Sequence, residues 1–141
     1  MKIKYDLSLM KFIALFERIT GAKVKDCFQD DVLQRLTFVV QPGQIRKAIG
    51  KQGANIKKLE AKLKKRLRVV EFDPDKITFI QHMILPLKVK DIEEPEDGVI
   101  VLHDDDMKTK GLLIGRNAAN LRNLEKNCQR YFKDVKEIKV V

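Results

Sequence analysis

The first part of the chain carries a helical stripe of apolar side chains. Its members recur at the spacing of one helix face: Leu9, Phe12, Ile13, Phe16 and Ile19. Gly21 follows the last of them, and glycine commonly ends helices. The pattern therefore predicts a helix from about Leu7 to Thr20.

The next residues predict two strands, a turn, two helices and a closing strand. In the second strand Leu36, Phe38 and Val40 alternate with three residues on the opposite side, which predicts one face turned to the core. Gln41-Pro42-Gly43 then breaks the strand. The predicted elements are strands near Lys23–Gln29 and Leu33–Val40, helices over about Gln44–Ile49 and Ala54–Arg66, and a strand over Arg68–Asp73.

Pro74 begins the same series again. The second series is predicted as a helix at about Asp75–Leu85, strands near Leu87–Ile92 and Val99–His103, a short helix from Asp104-Asp105-Asp106 to Ile114, a helix from about Ala119 to Phe132, and a strand over Val135–Val141. Both halves thus have the order αββααβ, which predicts an α+β fold in two domains, residues 1–73 and 74–141.

A repeated motif supports this division. Ile49–Glu60 reads IGKQGANIKKLE and Ile114–Glu125 reads IGRNAANLRNLE, with six of the twelve positions identical. The offset is 65 residues, and extending it pairs Val70 with Val135 in the last strands. A repeat of this length indicates two structural units.

The positive charge is concentrated around the first copy of the motif. The chain carries a net charge of +9, and residues 46–68 contain ten basic residues and one acid. Around the second copy, residues 108–133 hold seven basic residues and one acid, whereas residues 71–107 hold three basic residues and eleven acids. A clustered basic patch indicates a polyanionic partner; the alternative is a solvated helix face, which also applies to Lys62, Lys64, Lys65, Arg66 and Arg68.

The motif itself predicts a phosphate-binding loop. Gly50-Lys51-Gln52-Gly53 lies between two helices, where the first glycine can adopt positive φ and the lack of side chains permits close approach of a nucleic-acid backbone. The next helix N-terminus adds partial positive charge. The second loop ends in Ala118, which we expect to be the first turn of the following helix, and the site around it is expected to be usable but weaker.

These residues resemble the K-homology (KH) family in its type II topology. The resemblance implies two tandem KH domains, each with its helices on one face of a three-stranded sheet, binding single-stranded nucleic acid through the loop and an apolar groove. It implies groove candidates Ile45, Ile49, Ile56, Leu113, Ile114 and Leu121, with core packing as the alternative. The RNA-binding residues implied are Ile49, Gly50, Lys51, Gln52, Gly53, Asn55, Lys57, Lys58, Gly115, Arg116, Asn117, Ala118, Asn120 and Arg122.

Two such units joined this closely resemble the RNA-binding part of NusA-type transcription factors, in a short archaeal form. The resemblance implies single-stranded RNA binding in transcription termination or antitermination, with RNA polymerase as a candidate partner and no catalytic residue, cofactor or metal. Three alternatives stay open: a KH protein acting on ribosomal RNA or ribosome assembly, a small metal-dependent nuclease using the aspartate cluster, and a protein-interaction module with degenerate KH units.

The remaining chemistry is sparse. Asp104-Asp105-Asp106 is expected to cap a helix rather than hold a metal. Cys128 is expected to be a buried thiol, and two cysteines without a CxxC motif argue against a disulfide framework or a zinc site. With no membrane-length apolar run and no secretory signal at residues 1–6, we expect a cytoplasmic monomer.

Overall fold

The computed structural model describes residues 7–141. Residues 1–6, which belong to the first predicted domain, lie outside the described part. The described chain divides into two compact units that succeed one another at the Asp73–Pro74 bond. The fold class is α+β, with a separate three-stranded sheet in each unit.

The first unit has the predicted element order. Its elements are α1 (Leu7–Thr20), β1 (Val24–Asp30), β2 (Arg35–Val40), α2 (Ile45–Ile49), α3 (Ala54–Leu63) and β3 (Leu67–Glu71), with a single 3₁₀ turn at Lys51–Gly53 between α2 and α3. The predicted bounds of α1 are confirmed. The prediction that α3 reaches Arg66 is wrong, because Lys64 adopts the left-handed conformation (φ 54°) and ends the helix after Leu63.

The helices of this unit pack on one face of its sheet. The strand order is β1-β2-β3, with β1 antiparallel and β3 parallel to the central β2. The core joins Phe16 of α1, Ala48 of α2 and Leu59 of α3 to strand residues that include Phe38, all fully buried. The rings of Phe16 and Phe38 stack with centroids 4.2 Å apart.

Strand β2 is buried on both faces. Leu36, Phe38 and Val40 face the core as the alternation predicts, but Thr37 and Val39 are also 0% exposed. The alternation predicted the face that packs against the helices, and it did not predict the burial of Thr37 and Val39 on the opposite face.

The second unit repeats the order in residues 74–141. Its elements are α4 (Lys76–Ile84), β4 (Asp91–Glu96), β5 (Val99–His103), α5 (Met107–Ile114), α6 (Ala119–Gln129) and β6 (Glu137–Val140), with a 3₁₀ turn at Arg116–Ala118. The sheet order is β4-β5-β6, again with one antiparallel and one parallel pair. Phe79 of α4 packs edge-on against Tyr131, with ring centroids 5.3 Å apart.

Strand β4 lies further along the chain than predicted. The apolar residues at 87–92 suggested the strand, but pairing with β5 begins at Asp91 opposite His103 and continues to Glu96 opposite Val99. As an edge strand, β4 needs only one inward side chain, Ile92. A register shift between Glu93 and Glu96 accommodates proline at position 95, because a bulge tolerates a missing N–H donor.

The 65-residue offset holds for the helices but not for the last strand. Ile49 and Ile114 both end their helices at this offset, but Val70 lies in β3 whereas Val135 precedes β6. The cause is a tight turn after α6, in which the Tyr131 amide donates to the Cys128 carbonyl at 3.1 Å. The predicted match of Val70 with Val135 is therefore wrong. The predictions that the preceding helix ends at Phe132 and that the last strand begins at Val135 are also wrong, because α6 ends at Gln129 and β6 begins at Glu137.

Among residues 7–141, no helix combines the length and the apolar character that a membrane crossing requires.

Candidate nucleic-acid interface

The two loops have the same backbone conformation. Gly50 has φ 78° and ψ 173°, and Gly115 has φ 74° and ψ 176°. Gln52 and Asn117 are both left-handed, at φ 56° and φ 55°. The repeat therefore encodes one loop geometry twice, with Lys51 or Arg116 as an exposed cation beside each glycine.

An asparagine fixes each loop to the helix before it. Asn55 Nδ2 donates to the Lys47 carbonyl at 2.9 Å, and Asn120 Nδ2 donates to the Leu112 carbonyl at 3.0 Å. A Cβ at Gly50 would lie 2.8 Å from Asn55 Cγ, closer than van der Waals contact allows. The first glycine of the loop is thus required twice, by its φ/ψ values and by the asparagine packed against it.

The last loop position is left-handed in both copies. Gly53 has φ 74° and Ala118 has φ 61°. The expectation that Ala118 lies in the first turn of the next helix is wrong: it precedes α6 and carries a side chain in a conformation that favours glycine. A Cβ at Gly53 would meet nothing within 4 Å, so alanine is sterically accepted at this position and costs only backbone strain.

The helices that follow the loops begin without a side-chain cap. No side chain caps α3 or α6, whereas Asp75 caps α4 and Asp106 caps α5 by accepting from the Thr78 and Thr109 amides at 3.1 and 3.2 Å. The hydroxyl of the capped threonine and then its amide lower the pKa of each aspartate. The Ala54 and Ala119 amides donate to the Lys51 and Arg116 carbonyls. For the first-turn amides that follow them, no side-chain cap competes with an external anion.

The basic side chains around the first loop and along α3 are exposed and form no ion pairs within the described chain. Nine basic side chains from position 46 to position 66 are solvent-exposed, and within residues 7–141 none of them forms an ion pair: Arg46, Lys47, Lys51, Lys57, Lys58, Lys62, Lys64, Lys65 and Arg66. In the second unit Arg122, the counterpart of Lys57, is held by Glu125 at 3.0 Å and reaches the Ile138 carbonyl at 3.5 Å. The first loop thus offers more free positive charge.

The apolar groove candidates divide into two groups. Leu113 and Leu121 are 5% and 6% exposed and belong to the core of the second unit, so the alternative of core packing holds for them. Ile49 is 37% exposed directly before the first loop. Ile45 and Ile56 are half-buried and pack against the core of the first unit, and Ile114 is half-buried.

The aspartate cluster has structural partners. Asp106 caps α5, which confirms the predicted capping, Asp104 accepts from the Asp106 amide at 2.8 Å, and Asp105 pairs with Lys90. In the described chain, no group of three or more histidine, cysteine, aspartate or glutamate side chains is placed to hold a metal ion. Both cysteines are buried, and neither forms a disulfide bond.

Sequence reasoning missed the structural role of several motif residues. Asn55 and Asn120 were predicted to contact RNA, but their amides support the loops from within. Glu60 accepts from the Leu67 amide at 2.9 Å and ties α3 to β3. The signal was present in the repeat, since these asparagines and glutamate are identical in both copies whereas the residues at the loop tip vary.

Comparison with known proteins agrees with this geometry. A KH-domain family model matches residues 13–96, which include the first loop. A "Probable transcription termination protein NusA" of Methanococcus vannielii is 32% identical over 143 residues, covering 100% of this chain and 81% of that protein. A protein of the same name from Halococcus morrhuae is 29% identical over 141 residues, covering 99% of each chain.

The fold also matches a solved structure. The crystal structure of APE1850 superposes with a TM-score of 0.75 at 26% sequence identity, covering 97% of this chain and 100% of that one. The sequence match, the shared fold and the loop geometry agree, and the chain belongs to the KH-domain family in its archaeal NusA-like form.

Proposed function

We propose that this protein binds single-stranded RNA through two type II KH domains, residues 1–73 and 74–141, and acts in transcription termination or antitermination. The observation that carries the proposal is the duplicated loop, in which a cation and exposed backbone precede an uncapped helix of ten or eleven residues. Backbone N–H groups and the helix dipole suit a phosphate group, and the glycines permit its close approach.

The residues divide into contacting and positioning groups. We infer that Lys51, Gln52, Arg116 and Asn117 face the sugar-phosphate backbone, with Lys57 and Lys58 beside the first loop. Gly50, Gly53 and Gly115 shape the loops, with Ala118 in place of the second glycine. Asn55 and Asn120 position the loops, and Ile49 offers an apolar surface to a base.

The first loop is the stronger anchor in this proposal. Its cations have no carboxylate partner among the described residues, whereas Glu125 neutralises Arg122 beside the second loop. Strain at Ala118 also makes the second loop less favourable to hold. The second loop then extends the RNA path rather than initiating binding.

Filter binding with single-stranded RNA tests both claims. K51D/Q52D is expected to reduce affinity at least tenfold, and R116D/N117D is expected to reduce it less. K11D/Q29D makes the same chemical changes at two exposed positions of α1 and β1 and should leave affinity within about twofold of the wild type. Across a salt series, the log–log slope should flatten by about 0.7 for each phosphate that the variant no longer neutralises.

Two results would count against the proposal. If neither loop variant differs from K11D/Q29D, the loops do not hold RNA. If R116D/N117D weakens binding more than K51D/Q52D, the ranking of the loops is wrong.

The role in transcription rests on the similarity to NusA proteins and is tested separately. A purified archaeal transcription system should show altered termination when this protein is added, and K51D/Q52D should remove the effect. RNA polymerase as a direct partner predicts co-purification that survives RNase treatment. Asp104, Asp105 and Asp106 have structural partners, and no described group of three or more metal-ligating side chains includes them, which argues against the nuclease alternative.

A further inference from the structure

Three lysines project from α3 into solvent. Leu59 is fully buried, whereas Lys57, Lys58 and Lys62 are all exposed, and Lys58 and Lys62 lie one turn apart on the same side of the helix. The one acid of the helix, Glu60, accepts from the Leu67 amide and does not compensate them. The exposed face of α3 therefore carries positive charge alone.

The charge continues past the end of α3. Lys64, Lys65 and Arg66 form the turn to β3 and are all exposed. Lys64 occupies the left-handed position that ends the helix, where glycine is the favoured residue. We call Lys62, Lys64, Lys65 and Arg66 the distal basic surface.

Fold stability does not explain this surface. Lys62 lies in the last turn of α3, where a cation interacts favourably with the helix dipole. That interaction does not require four neighbouring cations, and Lys58 and Lys62 repel each other at i, i+4. At the 65-residue offset Asn127 of α6 corresponds to Lys62 and Arg130 corresponds to Lys65, whereas the backbones differ at the next pair, Lys64 and Gln129. The helix therefore forms with a neutral side chain at the position of Lys62.

The surface is too far from the loop to act on phosphates held there. The ten residues of α3 span about 15 Å, and charges are screened over about 8 Å at physiological ionic strength. These cations can therefore stabilise bound RNA only if the RNA extends to them.

We propose that the distal basic surface binds phosphates of the same RNA beyond the segment of about four nucleotides held at the Gly50–Gly53 loop. The inference rests on the proposed function, because the loop anchors the strand. It extends the RNA footprint of the first domain along α3 and makes affinity depend on RNA length.

The experiment compares two lengths of RNA on the full chain. The probes are pools of random-sequence single-stranded RNA of about 6 and about 18 nucleotides. The short pool can fill the Gly50–Gly53 loop but not reach the distal basic surface, and the long pool can occupy both. The variants are K62Q/K64Q/K65Q/R66Q for the distal surface, K51D/Q52D for the loop, and K11Q/R18Q/K23Q/R35Q as a control that removes the same charge from the same unit.

The distal variant is expected to lose at least tenfold in affinity for the long pool and less than twofold for the short pool. Its salt slope on the long pool should flatten by about 0.7 for each phosphate released. The control should change both pools by less than threefold, and K51D/Q52D should weaken both. K64G, which places glycine in the left-handed position, should keep the melting temperature and still weaken long-RNA binding.

Each other outcome overturns the inference. If the distal variant and the control lose equal RNA affinity, the overall positive charge of the domain, and not this surface, attracts the RNA. If the distal variant loses equal affinity for the short and the long pool, the surface acts on RNA held at the loop. Unchanged RNA affinity with loss of an acidic protein partner points to a protein-docking surface. Loss of affinity in the distal variant with none in K51D/Q52D would reject the proposed loop instead, which separates the two claims.

Discussion

Replacing Gly50 by alanine should destabilise the first unit far more than replacing Gly53. At φ 78° and ψ 173°, Gly50 occupies a region open almost only to glycine, where another residue costs about 1–3 kcal/mol. Its new Cβ would lie 2.8 Å from Asn55 Cγ and displace a side chain that donates to the Lys47 carbonyl. Losing that hydrogen bond adds about 1 kcal/mol, so we expect about 2–4 kcal/mol for G50A.

The matched variant is G53A. Gly53 is left-handed, but a Cβ there would meet nothing within 4 Å. Left-handed strain of about 1–2 kcal/mol is offset by about 0.4–1 kcal/mol from the stiffer unfolded chain. The net cost should stay near 1 kcal/mol or below, as the natural alanine at position 118 indicates.

Thermal unfolding followed by circular dichroism measures the difference. For a unit of this size, 1 kcal/mol shifts Tm by about 4–8 °C, so G50A should melt roughly 10 °C below G53A. N55A in the G50A background should recover part of the loss, because it removes the atoms that the new methyl group meets. Equal destabilisation by G50A and G53A would refute the reasoning, since φ alone would then set the cost.

Two further predictions concern the cap of α4 and the thiols. Asp75→Ala should cost the second unit about 1 kcal/mol by removing the α4 cap. Because Thr78 lowers the pKa of Asp75 below its ordinary 3.8, the contribution of the cap is complete at neutral pH and is lost as pH falls through the folded-state pKa. A difference in urea midpoint between the wild type and D75A that persists unchanged into acid would contradict this. Cys27 and Cys128 are both 0% exposed, so a thiol reagent should label neither in the native protein and both after unfolding, and fast labelling without denaturant would show that one of them is accessible.

Periodicity and turn chemistry were enough for the local elements. The stripe from Leu9 to Ile19 specified α1, because an amphipathic helix is encoded by its own side chains. The duplicated motif predicted two equivalent loops with glycine at the entry, and both have the predicted positive φ. Asp106 was predicted to cap a helix from its place before the apolar residues of α5.

Strand register, burial and the backbone conformation of Ala118 depended on tertiary contacts that local sequence patterns do not show. Strand β4 contains mostly acidic residues, and not the apolar residues from which it was predicted, because pairing with β5 selected its position and its own strand propensity did not. Thr37 and Val39 are buried on the face of β2 opposite the core residues Leu36, Phe38 and Val40, which alternation along one strand does not report. Ala118 is left-handed because the loop geometry is imposed by the helices on both sides.

The sequence by itself determined the element order, the two loops and the concentration of charge around the first of them, since these depend on residues close together in the chain. Only the tertiary structure showed which residues of the motif support the loops. In the structure Asn55 donates to the Lys47 carbonyl and Glu125 pairs with Arg122. The cations of α3 have no carboxylate partners in the described chain. Hydrogen bonds and ion pairs depend on side-chain positions in three dimensions, and these positions cannot be read from local sequence patterns.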